Sequence, residues 1–408
     1  MTPTPRFTEE TDARIAFVLG LASALHESGH STHALEEALA ATSDRLGLSG
    51  QFFATPTSIF ASFGEGPKQQ TFMLRTQPSP PDLGQLVRVT EIARAVLDGS
   101  VPPAEGTRRL ATLTERAQPR PLATIAAYGL ASAAAARFLG GAGAEAAVAG
   151  AAGLTIGFLA VGARRFSQLG RIFELAAAFV AAFGVAAVGA FQGGFSASLA
   201  TLAGLIVLIP GLAVTTGIAE LANRHLQAGT SRLAGAFMTF IGIGFGVALG
   251  SQLAVAVFGA PATVTPASVA AWLNWLALLA CAAAFAILLR ADRRDFGWIV
   301  LAGALAFAST RLGSAFLGPE LGVFVGSLLL GFGGNAFNRL TGRPSAVTLV
   351  PGLLTLVPGS IGFRSVTAML DSQVVPGIDA AFSMMLTAVS LVAGLLVAAA
   401  VYPERPIG

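Results

Sequence analysis

From Pro121 onward the chain is built of apolar runs of about 20 residues, the length a helix needs to cross the hydrocarbon of a bilayer. They lie at about 121–139, 143–162, 171–191, 195–221, 232–258, 268–289, 296–310, 318–337, 344–370 and 378–402, which predicts ten membrane helices, the seventh notably short. Two runs carry the same interruption, LIPG at Leu208–Gly211 and LVPG at Leu356–Gly359. Proline lacks a backbone donor and clashes with the preceding turn, at a cost of roughly 3 kcal/mol within a helix. At membrane depth such irregular backbone survives only where protein or a polar cavity surrounds it. One L-x-P-G alone says little, but a matched pair in corresponding places points to a transport site.

The two phrases are 148 residues apart (356 − 208). That one shift carries 143–162 onto 291–310, 171–191 onto 319–339, and 195–221 onto 343–369. Side-chain identity between the halves is weak, so the repeat rests on register and hydropathy. Five runs per half is an odd number, so the halves, 121–260 and 268–402, would enter the membrane from opposite sides as inverted repeats. Alternate loops carry the basic residues: Arg164, Arg165 and Arg171; Arg224 and Arg232; Arg290, Arg293 and Arg294; Arg339 and Arg343; and Arg405. Loops 192–194, 259–267 and 371–377 have no Lys or Arg. An excess of positive charge on the inner side predicts that both termini are cytoplasmic.

Before Pro121 the pattern changes. Helical periodicity runs from about Thr8 to Leu46 with HESGHS as an interruption, GQFFATPTSIFASF and TFMLRT read as strands around a turn at Gly64–Pro67, and amphipathic helices follow at about 82–98 and 103–117. The polar opening MTPTPRFTEE does not read as a secretory signal. The expected fold is therefore an all-α polytopic membrane protein of about ten helices in two inverted five-helix repeats, with an α+β cytoplasmic domain over residues 1–120.

Composition sharpens this division. The chain is 54% hydrophobic and 12% charged, with mean hydropathy +0.70, and 24 of its 47 charged residues fall in the first 120 positions. That region has 11 basic and 13 acidic residues, which gives nucleic acid no electrostatic footing. Cys281 stands alone in an apolar run, which excludes an intrachain disulfide. His26, His30, His33 and Glu37 would share a face of an unbroken helix at metal-binding spacing. Gly29 and its flanking serines break that helix, so a solvated or hinge-lining face is the expected reading and no metal is assigned.

Charges at membrane depth are the sharper candidates. Arg364, six residues past Pro358, is placed either to clamp a substrate carboxylate or to reach the outer interface or Asp371. Arg137 should snorkel at a span end, and Glu174 and Glu220 should pair with Arg171 or Arg224. The two breaks are expected to meet near the midplane. There freed amides and half-helix amino-terminal ends at Pro210, Gly211, Pro358 and Gly359 bind a carboxylate, and Thr215, Thr216, Thr355 and Ser360 supply hydroxyls.

The order of SGHSTHALEEALAATSDRLGL, LIPGLAVTTGIAEL, AGTSRLAGA and LVPGLLTLVPGSIGFRSVTAML resembles the threonine/serine exporter family over Ala13 to Val401. The halves also resemble separate, paired membrane proteins implicated in exporting small dicarboxylates. The resemblance implies a multi-pass secondary exporter in the plasma membrane. Its substrate would be small hydroxy amino acids or, alternatively, dicarboxylates, driven by an ion gradient with the proton as the expected ion. It places Gly29 and Glu36 in the amino-terminal motif, Pro210 and Gly211 at the first break, Gly229 and Arg232 after it, and Pro358 and Gly359 at the second. One departure is that an aspartate usual after the first break is missing, and Glu220 is the nearest acid. No G-x-S-x-G is present, and HESGH at His26–His30 matches HExxH in letters but carries Gly29, which breaks the helix that motif needs, so no enzyme, cofactor or metal is expected. Partners are the small substrate, its coupling ion and the lipid bilayer. A homodimer is compatible with the pattern, although no motif specifies one. Outside the transporter class the rival is a channel.

Overall fold

The computed structural model of the chain describes residues 8–114, 120–262, 264, 270, 272–370 and 372–405. Helix α1 (Glu9–Glu27) starts where the Thr8 hydroxyl accepts the Thr11 amide, with Glu9, Glu10 and Asp12 complementing the helix dipole. It stops at Gly29, whose φ is +78° and where a Cβ would lie 2.7 Å from Pro81 Cα. Glycine is thus needed both for the left-handed turn and for the close approach of the Pro80–Pro81 segment. Helix α2 (Thr32–Arg45) follows, so the four-residue face of His26, His30, His33 and Glu37 is divided between two helices and their link.

Strands β1 (Gly50–Thr55), β2 (Ser58–Phe63) and β3 (Gln70–Arg75) form an antiparallel meander in that order. Helices α3 (Leu83–Leu97) and α4 (Pro103–Thr114) complete the region. Its core joins Phe17, Leu21 and Leu25 of α1, Leu35 and Leu39 of α2, Ile59 and Phe63 of β2, and Leu86 and Val89 of α3.

The rest is helical: α5 (Pro121–Phe138), α6 (Gly143–Arg165), the short α7 (Ser167–Arg171), α8 (Phe173–Gln192), α9 (Ala197–Gly204), α10 (Gly211–Ala222), α11 (Leu226–Phe258), α12 (Leu273–Leu288), α13 (Phe296–Leu317), α14 (Pro319–Thr341), α15 (Ala346–Leu354), α16 (Gly359–Leu370) and α17 (Val374–Val401). Among the described residues, seven stretches are long and apolar enough to cross a membrane: Gly143–Arg165, Phe173–Gln192, Leu226–Phe258, Arg293–Leu317, Pro319–Thr341, Ala346–Leu370 and Val374–Val401. Their outer faces expose large apolar side chains such as Phe158, Phe237, Phe245, Phe316 and Phe382, while alanines fill much of the interior. That inversion of size and exposure suits helices packed against each other in lipid.

The 148-residue register extends to element boundaries. Helix α16 starts and ends 148 residues after α10 (359 − 211 and 370 − 222), and α17 starts 148 after α11 (374 − 226). Packing repeats as well: α6 on α9 matches α13 on α15, α8 on α11 matches α14 on α17, and α10 on α11 matches α16 on α17. Contacts between halves are reciprocal, with α10 against α17 and α11 against α16.

Three expectations need correction. The seventh run does not end at 310: α13 continues to Leu317, and within it the Arg311 guanidinium lies over the Phe307 ring, 5.5 Å from its centroid. Arg137 does not snorkel; it bonds the Gly141 carbonyl and, at 3.1 Å, Asn274 at the start of α12. The phrase LVPG also occurs at Leu349–Gly352, where Pro351 lies inside α15 without ending it. The first residues of the sixth run and Asp371 lie outside the described residues.

Candidate functional site

Both breaks are real interruptions, at residues 205–210 between α9 and α10 and at 355–358 between α15 and α16. They meet at two glycines. A Cβ on Gly211 would lie 3.2 Å from both the Cα and the amide nitrogen of Gly359, and one on Gly359 would lie 2.7 Å from Ile209 Cγ2. Only glycine at both positions lets the two half-helix starts come this close. Pro210 and Pro358 accept bonds from the next turn through their carbonyls. The amides of Leu212, Ala213, Gly359 and Ser360 have no backbone acceptor among the described residues. Unpaired amides at a helix start, with the positive end of the dipole, favour an anionic group.

Those four residues border one cavity of about 430 Å³, together with Pro210, Leu354 and Val357. Tyr128 of α5, Arg164 of α6 and Phe285 of α12 contribute to its walls. The amino-terminal region completes it with Glu27 and the segment Ser79–Asp82. Most of the lining is aliphatic, with Ile206, Val207, Ile209 and Leu288 among it, so each charged group present stands in weakly polar surroundings.

Asp82 is committed structurally. One carboxylate oxygen accepts the Gln85 amide at 2.8 Å and caps α3, and the other accepts Arg290 at 3.0 Å. Beside it the Leu83 amide donates to the Leu289 carbonyl at 2.9 Å and the Gly84 amide to the Arg290 carbonyl at 3.2 Å. Helix α3 thus begins where α12 ends, and the donors of one terminus satisfy the acceptors of the other. Further along the same contact, Glu91 pairs with Arg294 at 3.3 Å and Arg94 donates to the Gly342 carbonyl at the end of α14. Glu27, by contrast, is half-buried and makes no hydrogen bond or ion pair among the described residues. Burial holds its carboxyl above the usual carboxylate range.

Of the residues expected at the site, Pro210, Gly359 and Ser360 line the cavity, and Gly211 forms the contact between the breaks. Thr215 is buried, and its hydroxyl donates to the Gly211 carbonyl at 3.1 Å. Thr355 likewise donates to the Gly352 carbonyl at 2.7 Å. Thr216, Thr355 and Pro358 are not among the lining residues. Arg364 is exposed, off the cavity, with no side-chain partner among the described residues.

The motif residues around Gly29 and Glu220 gather elsewhere, where the amino-terminal region meets α10 and α11. Glu220 is buried and takes both forks of Arg232 at 3.0 Å, not Arg224 as the spacing suggested. It also accepts the Thr32 amide at 3.2 Å and hydroxyl at 2.9 Å. Gly229 packs against α10, where a Cβ would stand 2.7 Å from the Gly217 carbonyl oxygen. Glu36 accepts the Ala54 amide at 2.7 Å and lies 3.6 Å from His225. The His225 ring stands 5.1 Å from that of His33, which pairs with Glu37 at 3.4 Å. Glu174 makes no ion pair among the described residues, so its expected pairing with Arg171 is not formed.

His26 is buried with its Nε2 3.2 Å from the Pro56 carbonyl. Burial, with Arg232 nearby, holds its pKa below the usual histidine value. Burial pushes His30 down to about 4. No group of His, Cys, Asp and Glu among the described residues has the geometry to hold a metal.

Sequence reasoning missed Glu27, Arg164, Asp82 and Arg290. The PSPPD run before a helical pattern signals an N-cap at Asp82, but nothing local announces that its partner lies 208 positions away.

Residues 16–254 match a family model described as a threonine/serine exporter, and residues 274–401 match a second model of the same description. Curated relatives carry the name pheromone-regulated membrane protein 10. That of Candida albicans is 27% identical over 86% of this chain and 33% of its own length. That of Pichia sorbitophila is 25% identical over 86% and 37%, and that of Eremothecium gossypii 25% over 86% and 49%. The chain spans a third to a half of the length of these relatives. No solved structure matches.

Proposed function

The chain belongs to the threonine/serine exporter family, and from that premise we propose that it exports small hydroxy amino acids, threonine and serine, across the plasma membrane by alternating access coupled to a proton gradient. Ten membrane passes would form two inverted five-helix repeats with both termini cytoplasmic. The matched boundaries of α10 and α16 and the reciprocal contacts of α10 with α17 and α11 with α16 support this reading. Two halves related in this way interconvert inward-open and outward-open states by exchanging conformations.

The observation that carries the proposal is the meeting of the two breaks at Gly211 and Gly359 over a single cavity. Substrate carboxylate sits against the unpaired amides of Leu212, Ala213, Gly359 and Ser360, where both half-helix dipoles favour it. The aliphatic walls leave room for a short side chain, and 430 Å³ is within the range of small-molecule sites. Counterflow in proteoliposomes with labelled threonine, serine and succinate tests the reading. Saturable threonine and serine counterflow supports it, saturable succinate flux alone would transfer the site to dicarboxylates, and non-saturable flux would indicate a channel.

A further inference from the structure

We infer that Glu27, supplied by the amino-terminal region, is a substrate ligand of the export cavity: its carboxylate receives the ammonium group of a zwitterionic amino acid and selects against dianions. The inference rests on reading the cavity as the export site and adds to it a specificity-determining residue outside the membrane helices.

Three observations converge on this residue. Glu27 lines the same cavity as Pro210, Gly359 and Ser360. Of the two carboxylates in that lining, Asp82 is occupied by Arg290 and by its cap on α3, whereas Glu27 has no partner among the described residues. A half-buried carboxylate among aliphatic side chains is costly unless something compensates it. The same cavity is lined by the residues of the four unpaired amides at the half-helix starts. An acceptor-only group in one cavity with a set of donors is the complement of a molecule with one ammonium and one carboxylate. A dianion would satisfy the amides with one end and meet the Glu27 charge with the other.

The last turn of α1 gives Glu27 this position. Gly29 turns the chain back under Pro80–Pro81, and the same turn brings Ser79–Asp82 to the cavity. The other titratable and charged groups lining it are Asp82, Tyr128, Arg164 and Arg290, with His26 next to Glu27 in sequence and His30 three residues on. Because burial already favours its protonated form, Glu27 loses its charge on acidification before an ordinary glutamate would. The ammonium then loses its acceptor, while the protonated carboxyl becomes a donor that a second carboxylate can use. Threonine and succinate should therefore respond to acid in opposite directions.

The test is counterflow of labelled threonine by the full chain in proteoliposomes, titrated with threonine and with competing succinate from pH 7.5 downward. Glu27→Gln keeps size and hydrogen bonding but removes the charge. It should raise half-saturation for threonine about tenfold or more, the usual effect of losing a charged hydrogen bond. Competition by succinate should be undiminished, and the pH dependence of threonine affinity should flatten. Glu27→Asp keeps the charge one methylene back and should recover part of the affinity. It also serves as the readout if the glutamine variant does not insert. Wild-type half-saturation in the glutamine variant, or equal weakening toward threonine and succinate, would overturn the proposal. If the unaltered protein shows no saturable counterflow of either compound, the export reading fails and this inference fails with it.

Discussion

Glu220 of α10 accepts both the amide and the hydroxyl of Thr32, at 3.2 and 2.9 Å, so a carboxylate from one region of the chain caps the first turn of a helix in another. The same carboxylate holds Arg232 in a fork of two 3.0 Å bonds. Removing Glu220 leaves an arginine and a helix start without their acceptor in a buried place. Glu220→Ala should therefore destabilise the protein by about 3 to 5 kcal/mol, the usual cost of breaking a buried pair from one side. Thr32→Val, which removes only the hydroxyl donor, should cost about 1 kcal/mol. Heat-unfolding midpoints in detergent check the ranking, and equal midpoints for the two variants would refute it.

The glycine contact between the breaks is a tighter test of the site than the prolines. Gly211→Ala puts a methyl 2.9 Å from Val357 Cγ2 and 3.2 Å from the Gly359 backbone, which forces the half-helices apart at a cost of about 1 to 3 kcal/mol. Initial export rate normalised to inserted protein should fall well below wild type while insertion persists. Pro210→Ala and Pro358→Ala should also reduce export, because each permits a helical bond that the break now forbids. Wild-type rates in all three variants would remove the breaks from the mechanism.

Arg364 yields a contrary expectation to that of a carboxylate clamp. Its side chain is exposed and off the cavity, so Arg364→Lys, which loses the planar fork but keeps a charge that snorkels equally well, should leave half-saturation within about twofold of wild type. A rise of tenfold or more in counterflow titrations would restore Arg364 to the substrate path.

Topology has a direct chemical readout. In a background carrying Cys281→Ser, single cysteines replacing Gln192 and Ser372 should react with an impermeant thiol reagent applied to intact cells. Cysteines replacing Gln227 and Thr341 should be protected until the membrane is opened. The reverse pattern, or labelling of all four, would end the inverted arrangement.

Acid should loosen the amino-terminal region before it affects the membrane helices. His30, held near 4 by burial, and His26, also held low, stay neutral in the fold while the unfolded chain takes up protons below about 6.5. Their contribution to stability is complete above that pH and is lost as pH falls toward 4, where the folded form begins to protonate too. The unfolding midpoint should drop between pH 6.5 and 4, and His30→Gln should blunt the slope. A midpoint constant over that interval would contradict this assignment.

What could be read from the residues were features with local or periodic causes. Turn glycines, strand alternation and apolar run lengths announced the helices and strands, the two L-x-P-G phrases pointed to both breaks, and the 148-residue offset between them paired the halves. Phrase alone was insufficient, since Pro351 sits in the same LVPG as Pro358 and leaves its helix intact. Side-chain partners that depend on chain reversal were not legible. Glu220 seemed to face Arg224, but Arg224 sits at positive φ in the turn after α10, and the return of α11 brings Arg232 alongside instead. The orientation of Arg364 around α16 and the arrival of Glu27 in the cavity that the breaks line are likewise outcomes of packing.

The junction of α3 with α12 bears on how the protein is put together. The amino-terminal region is continuous in sequence with α5 to α11, yet Asp82, Leu83, Gly84, Glu91 and Arg94 all attach to residues between Leu289 and Gly342. It works as an adaptor, held to the first half by the chain itself and by Thr32 on Glu220 and Glu36 beside His225, and fitted to the second through these five residues. Were the gene divided after α11, the first product would already carry the docking face for the second, and the two could find each other after separate synthesis without any surface beyond those present in the single chain.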